Sequence, residues 1–221
     1  IRTATRVRSL AEEYGKKYRY DFVIIDTSPS LGALNKSIIS TVDGFFIPAA
    51  PDMFSLYGIR NIGASLSKWR DEFEIIYRLI SSDKRKLFPK DFVQFLGYTI
   101  YNAKKYARPG SKWNLAQAHL KYAEKIPGVI ARDIGVDLRD SVPANLLQQP
   151  IGDEAIMHSH NTFPTLAQHY RVPMWKIPTL AKIDKEHQNT VNGQRADMLA
   201  TRAKYQSFAE ALLIRISYLG T

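Results

Sequence analysis

Two apolar runs on either side of a short helix-compatible segment constrain the fold of this chain most. The run "FVII" (22–25) ends at Asp26, and the run "GFFIPAAP" (44–51) is interrupted and closed by prolines. A continuous apolar run is typical of a parallel strand buried on both faces, and proline limits such a strand. Because residues 32–42 are compatible with a helix, the order strand, helix, strand predicts a βαβ unit.

The rest of the chain continues this alternation. Apolar residues at helical spacing predict further helices, with Ser55 as an N-cap candidate for the second of them. These helices are expected over residues 3–18, 55–73, 112–124, 161–170 and 196–218. Further strands are expected over 92–102 and 128–133, and residues 134–150 are expected to be irregular or helical. The pattern predicts an α/β fold, with a doubly wound, mostly parallel sheet and helices on both faces, forming a single domain over residues 1–221.

The net charge of +10 is concentrated in the middle of the chain. Residues 60–132 hold fifteen Lys and Arg against six Asp and Glu, whereas the two flanking segments are nearly balanced. A charge run is commonly only a solvated face, but this uneven distribution equally favours contacts with the phosphates of DNA. The candidate DNA-binding residues are Lys84, Arg85, Lys86, Lys90, Lys104, Lys105, Arg108 and Lys112.

Composition excludes several other classes of site. The chain has no cysteine, so disulfides, thiolate metal sites and iron–sulfur clusters are excluded, and a reducing cytoplasmic setting is expected. No apolar run approaches the roughly 20 residues that span a bilayer. His158 and His160 lie two residues apart, with His169 beyond them. Because no acidic residue accompanies them at ligand spacing, we expect surface or capping roles for them and no metal site.

Asp26 is followed at once by Thr-Ser-Pro-Ser-Leu-Gly. An acid at the carboxyl end of a buried strand can hold Mg²⁺ beside nucleotide phosphates, although many such acids only cap the next helix. The segment "YDFVIIDTSPSLGALNKSIISTVDGFFIPAAPDMFSLYGIRNI" (20–62) resembles the Walker B and switch II region of ParA/MinD-type deviant Walker A ATPases. A looser resemblance continues through "LGYTIYNAKK" (96–105) and "PGVIARDIGVDLRDSV" (127–142).

The resemblance implies a fold like that of P-loop NTPases and a site for ATP and Mg²⁺. Asp26 would be the Walker B acid that orients Mg²⁺ through a water molecule, and Pro29, Ser30, Leu31 and Gly32 would form switch II. Asn102 would hydrogen-bond the adenine edge, although the same residue could simply satisfy local backbone groups. Ala131, Arg132 and Asp133 would border the base, with Ala131 in place of the family's usual proline.

The family's phosphate-binding loop, K-G-G-x-G-K-S/T, is absent from the sequence. Only Gly15-Lys16-Lys17 is superficially similar, and it lies in a predicted helix. We therefore expect the P-loop and several N-terminal strand and helix units to lie outside this chain, and we expect the chain alone not to hydrolyse ATP.

The resemblance implies a partition protein that is cytoplasmic and associated with the nucleoid. Its complete form would dimerise around ATP and Mg²⁺, bind DNA nonspecifically, and release it after hydrolysis stimulated by a ParB-like partner. One alternative is a pseudo-ATPase that binds DNA or acts as a scaffold. A second is a positioning ATPase like MinD, but the C-terminal stretch has only Arg215 as a basic residue (208–220), which favours core packing over membrane binding.

Overall fold

The computed structural model describes residues 2–27, 30–86, 88–106, 112–153 and 157–220. For residues 2–4 it describes the backbone only. Within these ranges the chain forms ten α-helices and two strands. None of these helices is both long and apolar enough to cross a membrane.

The sheet consists of two parallel strands, β1 (Gly44–Ala49) and β2 (Gln94–Ile100). Both were predicted from the sequence, and the structure confirms them with slightly shorter bounds. Their register shifts once, since Phe45 pairs with Phe95 but Phe46 pairs with Gly97. Leu96 is therefore an extra residue in β2, and the strand bends there as β-bulges do. With two strands in the described residues, the doubly wound sheet is not confirmed.

The strand predicted over residues 22–25 is wrong. The segment from Phe22 to Asp26 has no regular secondary structure, and it is largely exposed: Phe22 is 53% and Ile24 78% accessible. A strand buried on both faces needs hydrogen-bonded neighbours in its sheet. Within the described residues the sheet holds only β1 and β2, so this apolar run remains outside it.

The helices begin with α1 (Arg2–Tyr18), α2 (Ala33–Ile39) and α3 (Met53–Leu79). Helix α3 starts two residues before Ser55, because Asp52 is its N-cap and accepts a hydrogen bond from the Ser55 backbone N–H at 2.8 Å. The later helices are α4 (Ser82–Arg85), α5 (Gln117–Ala123), α6 (Ile126–Asp133), α7 (Ala144–Leu147), α8 (Phe163–Tyr170), α9 (Lys185–Gly193) and α10 (Arg195–Ile216), with 3-10 turns at Lys112–Asn114, Val136–Leu138, Met174–Thr179 and Ser217–Gly220. Among them, α5, α8 and α10 confirm predicted helices, α7 lies in the segment expected to be irregular or helical, and α4 and α9 were not predicted.

Helix α6 replaces the strand predicted over residues 128–133. Its first turn contains Pro127, and proline is well tolerated there because the first helical N–H groups have no intrahelical acceptor. Ile126 and Ile130 are both buried and lie four residues apart, on one face of a helix. The short apolar run within residues 128–133 is compatible with a buried strand and with a helix, and the structure has the helix.

The described core has two parts. The larger part lies between the sheet and helices α3 and α6, and includes Leu66, Phe95, Tyr98 and Ile130. The smaller part is formed by the C-terminal helices around Phe163, Leu166, Ile177, Val191 and Met198. Helix α10 reaches both, since its first half supplies Met198 and its second half packs Leu212 and Ile216 on the larger part.

Candidate functional site

The carboxyl ends of β1 and β2 lie side by side, where ligands sit in open α/β sheets. The Tyr101 backbone N–H donates to the Ala49 carbonyl at 3.2 Å, which extends the strand pairing to the edge. Asn102 follows, exposed and with a left-handed φ of 55°. A short loop joins the end of β1 to helix α3, and its last residue is the cap Asp52. The predicted position of Asn102 just beyond a strand end is confirmed, and its contact with adenine stays a prediction.

The predicted switch II turn is held by a residue that sequence reasoning missed. Asn35 is buried, and its Nδ2 donates to the Ser30 carbonyl at 2.6 Å. Gly32 caps α2 in an extended conformation, and its carbonyl accepts from the Lys36 N–H at 3.0 Å. Leu31 is 45% exposed. The turn therefore presents Ser30 and Leu31 on the surface, while Pro29 lies outside the described residues. The sequence pattern that could have predicted this role of Asn35 is an amide side chain a few residues after a turn, where it can hydrogen-bond the turn's backbone.

Asp26 is exposed and lies between α1 and α2, in the segment without regular secondary structure. An exposed carboxylate is free to approach a hydrated cation, which is the chemistry the resemblance implies for it. Its role as the Mg²⁺ residue stays a prediction.

Arg132 and Asp133 lie at the end of α6 and form a bidentate ion pair, with Nε to Oδ1 at 3.0 Å and Nη2 to Oδ2 at 2.6 Å. This hydrogen bonding lowers the pKa of the Asp133 carboxyl, and the charge of Arg60 contributes. Helix α6 packs on α3 next to Gly63, where the Asp133 carbonyl faces the glycine. Gly63 is ten residues along α3 from Met53, or about 15 Å at a rise of 1.5 Å per residue.

The chain beyond α6 continues away from the carboxyl edge of the sheet. The carbonyl of Asp137 accepts from Nε2 of Gln94, the first residue of β2, at 3.4 Å. The structure therefore places Arg132 and Asp133 away from Asn102 rather than beside it. Their contact with a nucleotide base stays a prediction that this geometry does not favour.

The candidate DNA-binding residues form two patches at opposite ends of β2. We define the amino-edge patch as Lys84, Arg85, Lys86 and Lys90, which precede the strand. Within it, Arg85 donates to the carbonyls of Tyr77 and Arg78 at 3.0 Å each and so caps the end of α3. Lys86 pairs with Asp83 at 3.3 Å. Two of its four cations therefore already have local partners.

We define the carboxyl-edge patch as Lys104, Lys105 and Lys112, which follow β2; Arg108 lies outside the described residues. All three lysines are exposed, and Lys112 also lies 3.5 Å from Glu124 and 4.4 Å from the centre of the Trp113 ring. The seven residues of β2 separate the two patches by about 23 Å at 3.3 Å per residue. Only the carboxyl-edge patch lies beside Asn102.

Comparison with known protein families finds a match over about the first third of the chain. Residues 6–77 match the family model for the AAA domain. That range contains most of α1, the Asp26 segment, the Ser30–Asn35 turn, β1 and nearly all of α3. This match supports a fold of the P-loop NTPase class, a class that in general uses a nucleotide with Mg²⁺.

Three curated relatives share a segment of similar size. Uncharacterized proteins from two strains of Mycobacterium tuberculosis are each 42% identical over 53 residues, which is 24% of this chain and 17% of theirs. A ParA family protein of Mycoplasma pneumoniae is 33% identical over 54 residues, which is 24% of this chain and 20% of that protein. The chain thus matches about a fifth of the length of these relatives. No solved structure matches it significantly. Together the matches support a relationship to ParA-type ATPases.

Proposed function

We propose that this chain is part of a ParA-type ATPase that partitions DNA. The observation that carries the proposal is the similarity of residues 6–77 to the AAA domain, together with a ParA family relative over 54 residues. In the complete protein, ATP and Mg²⁺ hold two copies together, and the dimer binds DNA without sequence preference. A ParB-like partner stimulates hydrolysis and so releases the DNA.

In this proposal the chain supplies one half of the nucleotide site. Asp26 orients Mg²⁺ through water, the Ser30–Asn35 turn faces the terminal phosphate, and Asn102 meets the adenine edge. The sequence has no K-G-G-x-G-K-S/T loop, and backbone amides of that kind of loop cradle the phosphates. ATP turnover therefore needs a P-loop in addition to these 221 residues.

We assign DNA contact to the carboxyl-edge patch. Its lysines are exposed and lie beside Asn102, so a nucleotide bound at this edge and the DNA phosphates would be neighbours. The amino-edge patch is less suited, because Arg85 and Lys86 already bind local partners, whereas in the carboxyl-edge patch only the ammonium group of Lys112 has a side-chain partner within the described residues. Phosphate neutralisation by lysine gives affinity that depends on salt and carries no sequence information.

The salt dependence of DNA binding tests this assignment. We expect the double variant Lys104→Ala/Lys105→Ala to bind a labelled duplex more weakly at low salt. Its slope of log K against log salt is expected to be shallower by about 1.8, because each neutralised phosphate accounts for about 0.9 of the slope. The measurement is fluorescence anisotropy over a series of KCl concentrations.

The matched control is Lys84→Ala/Lys86→Ala, which removes the same charge from the amino-edge patch. Its slope should stay at the wild-type value. If both double variants change the slope equally, net charge rather than the carboxyl-edge patch governs binding. If neither the wild-type chain nor a longer form with a P-loop, ATP and Mg²⁺ binds a duplex at low salt, the assignment of DNA contact to this chain is wrong.

Nucleotide dependence separates the proposed ATPase from the alternatives. We expect a longer form of the protein that includes a P-loop to hydrolyse ATP with Mg²⁺ and to lose turnover in the variant Asp26→Ala. DNA binding that is equally tight with and without ATP, combined with no turnover, would instead support the pseudo-ATPase. Binding to anionic liposomes in place of DNA would support a positioning ATPase like MinD.

A further inference from the structure

Two histidines and an aspartate converge in the C-terminal helices, far along the chain from the proposed ATPase site. His169 lies in the last turn of α8, Asp184 is the residue before α9, and His187 lies in the first turn of α9. Each offers a ligand atom, and these atoms all lie within 4.8 Å of one another. His169 Nε2 is 2.8 Å from Asp184 Oδ2, and His187 Nδ1 is 4.0 Å from the same oxygen. Sequence spacing did not show the cluster, because Asp184 follows His169 by 15 residues.

Helix packing and Tyr170 hold the three side chains in place. The Tyr170 hydroxyl accepts from the Asp184 backbone N–H at 3.0 Å and lies 2.8 Å from His187 Nδ1. Helix α8 packs through Phe163 and Leu166 into the same core as Val191 of α9. The two elements that carry the cluster are thus joined by a hydrogen-bonded tyrosine on one side and by apolar packing on the other.

We propose that His169, Asp184 and His187 bind a divalent transition-metal cation of the Zn²⁺ class, independently of the function proposed above. Two imidazole nitrogens and one carboxylate suit Zn²⁺, whereas Mg²⁺ and Ca²⁺ prefer oxygen ligands. In a tetrahedral zinc site with bonds of about 2.0–2.1 Å, neighbouring ligand atoms lie about 3.3 Å apart. Two of the three separations, 2.8 and 4.0 Å, bracket that value, and the third is within 4.8 Å, so side-chain rotations are needed to bring the ligands into place.

The surroundings allow the cation to enter. His169 and Asp184 are about half exposed, at 49% and 45% of their side-chain area, so a water molecule can occupy the fourth position. An aspartate carboxylate is ordinarily ionised at neutral pH, as metal binding requires. Glu186, 3.6 Å from the other ring nitrogen of His187, adds negative charge, while Lys182 opposes it.

Binding must replace two existing contacts. The metal takes the place of the hydrogen bond between His169 and Asp184, and it competes with the Tyr170 hydroxyl for His187 Nδ1. A bound cation would cross-link α8 to the start of α9 and tighten the C-terminal helices. In this proposal the bound cation links the two helices and keeps a water molecule in its fourth position.

Titration of the untagged chain with Zn²⁺ alone, in competition with a chromogenic chelator, tests the proposal. We expect one Zn²⁺ per chain, and a loss of affinity of at least roughly tenfold in each of His169→Ala, Asp184→Asn and His187→Ala. The matched control is His158→Ala, which removes an imidazole that bonds the Trp113 carbonyl outside the cluster. It should bind Zn²⁺ as the wild type does. Equal affinity in wild type and in all three ligand variants would overturn the proposal.

Two further measurements, the absorption spectrum with Co²⁺ and the melting temperature with Zn²⁺, test the proposal even if a variant folds poorly. Co²⁺ bound by the wild type should show the visible absorption bands of a four-coordinate site, and His158→Ala should keep them because His158 lies outside the cluster. Zn²⁺ should raise the melting temperature of the wild type and of His158→Ala, but not that of Asp184→Asn. A wild-type chain with no cobalt bands and no zinc-dependent rise in melting temperature would also overturn the proposal.

Discussion

Replacing Arg215 with methionine is expected to lower the free energy of unfolding by about 2–4 kcal/mol. The guanidinium belongs to a residue that is only 3% exposed, and it donates to three carbonyl groups. These are Leu96 at 2.9 Å, Leu146 at 2.7 Å and Gln149 at 3.0 Å. Methionine fills similar volume but removes this donor from all three carbonyls; the Leu146 carbonyl still accepts from the Gln149 N–H at 3.2 Å, whereas a buried polar group left unsatisfied costs about 1–3 kcal/mol. Removing a desolvated charge recovers part of that loss.

The Leu96 carbonyl is available to Arg215 because of the bulge in β2. Leu96 is the residue that the register shift leaves without a partner in β1. Gly97 follows with a φ of 127°, and a Cβ there would lie 2.2 Å from the Arg215 Nη1 atom. Glycine therefore both adopts this conformation and leaves room for the guanidinium. Arg215 thus ties the end of α10 to the sheet at the point where the ladder is interrupted.

Urea unfolding followed by circular dichroism measures the effect. The matched control is Arg202→Met, which makes the same exchange at an exposed position of α10. Surface substitutions of that kind change stability by about 0.5 kcal/mol or less. If Arg215→Met is no less stable than Arg202→Met, the three carbonyl contacts contribute nothing measurable.

Local pattern was sufficient to predict the long helices and the two observed strands. Helix α3 has Ile59, Leu66 and Phe73 buried along one face, at spacings that only a helix brings together. The strand β1 is marked by an apolar run that proline closes. In both cases the information lies within a few neighbouring residues, so no knowledge of the rest of the fold was needed.

The local sequence pattern did not predict structure that depends on residues far away in the chain. The run 22–25 has the composition of a buried strand, but pairing depends on a neighbour that a local reading cannot supply. Arg215 stood out in the sequence only as the one basic residue of residues 208–220, yet its acceptors lie 66 to 119 residues earlier in the chain. The candidate nucleotide residues divide in the same way: Asn102 follows a strand as predicted, whereas Arg132 and Asp133 lie elsewhere because the segment that contains them is a helix.

Gly63 is the second position where a single substitution should have a large effect. It is buried in α3, and a Cβ there would lie 2.1 Å from the Asp133 carbonyl oxygen and 2.8 Å from its carbon. Both atoms are backbone, so α3 and α6 would have to separate. We expect Gly63→Leu to lower the free energy of unfolding by about 3 kcal/mol. For a chain of this size the melting temperature would fall by roughly 6–12 °C.

Gly58 provides the matched control, because it lies in the same helix and a Cβ there meets nothing within 4 Å. Leucine is a much better helix former than glycine, so Gly58→Leu should raise stability by about 0.5–1 kcal/mol. Thermal melting followed by circular dichroism compares the two variants directly. Opposite signs would show that close packing of α6 on α3 sets the cost at Gly63. Equal stabilisation in both variants would contradict that packing, and with it the position of Arg132 and Asp133 away from Asn102.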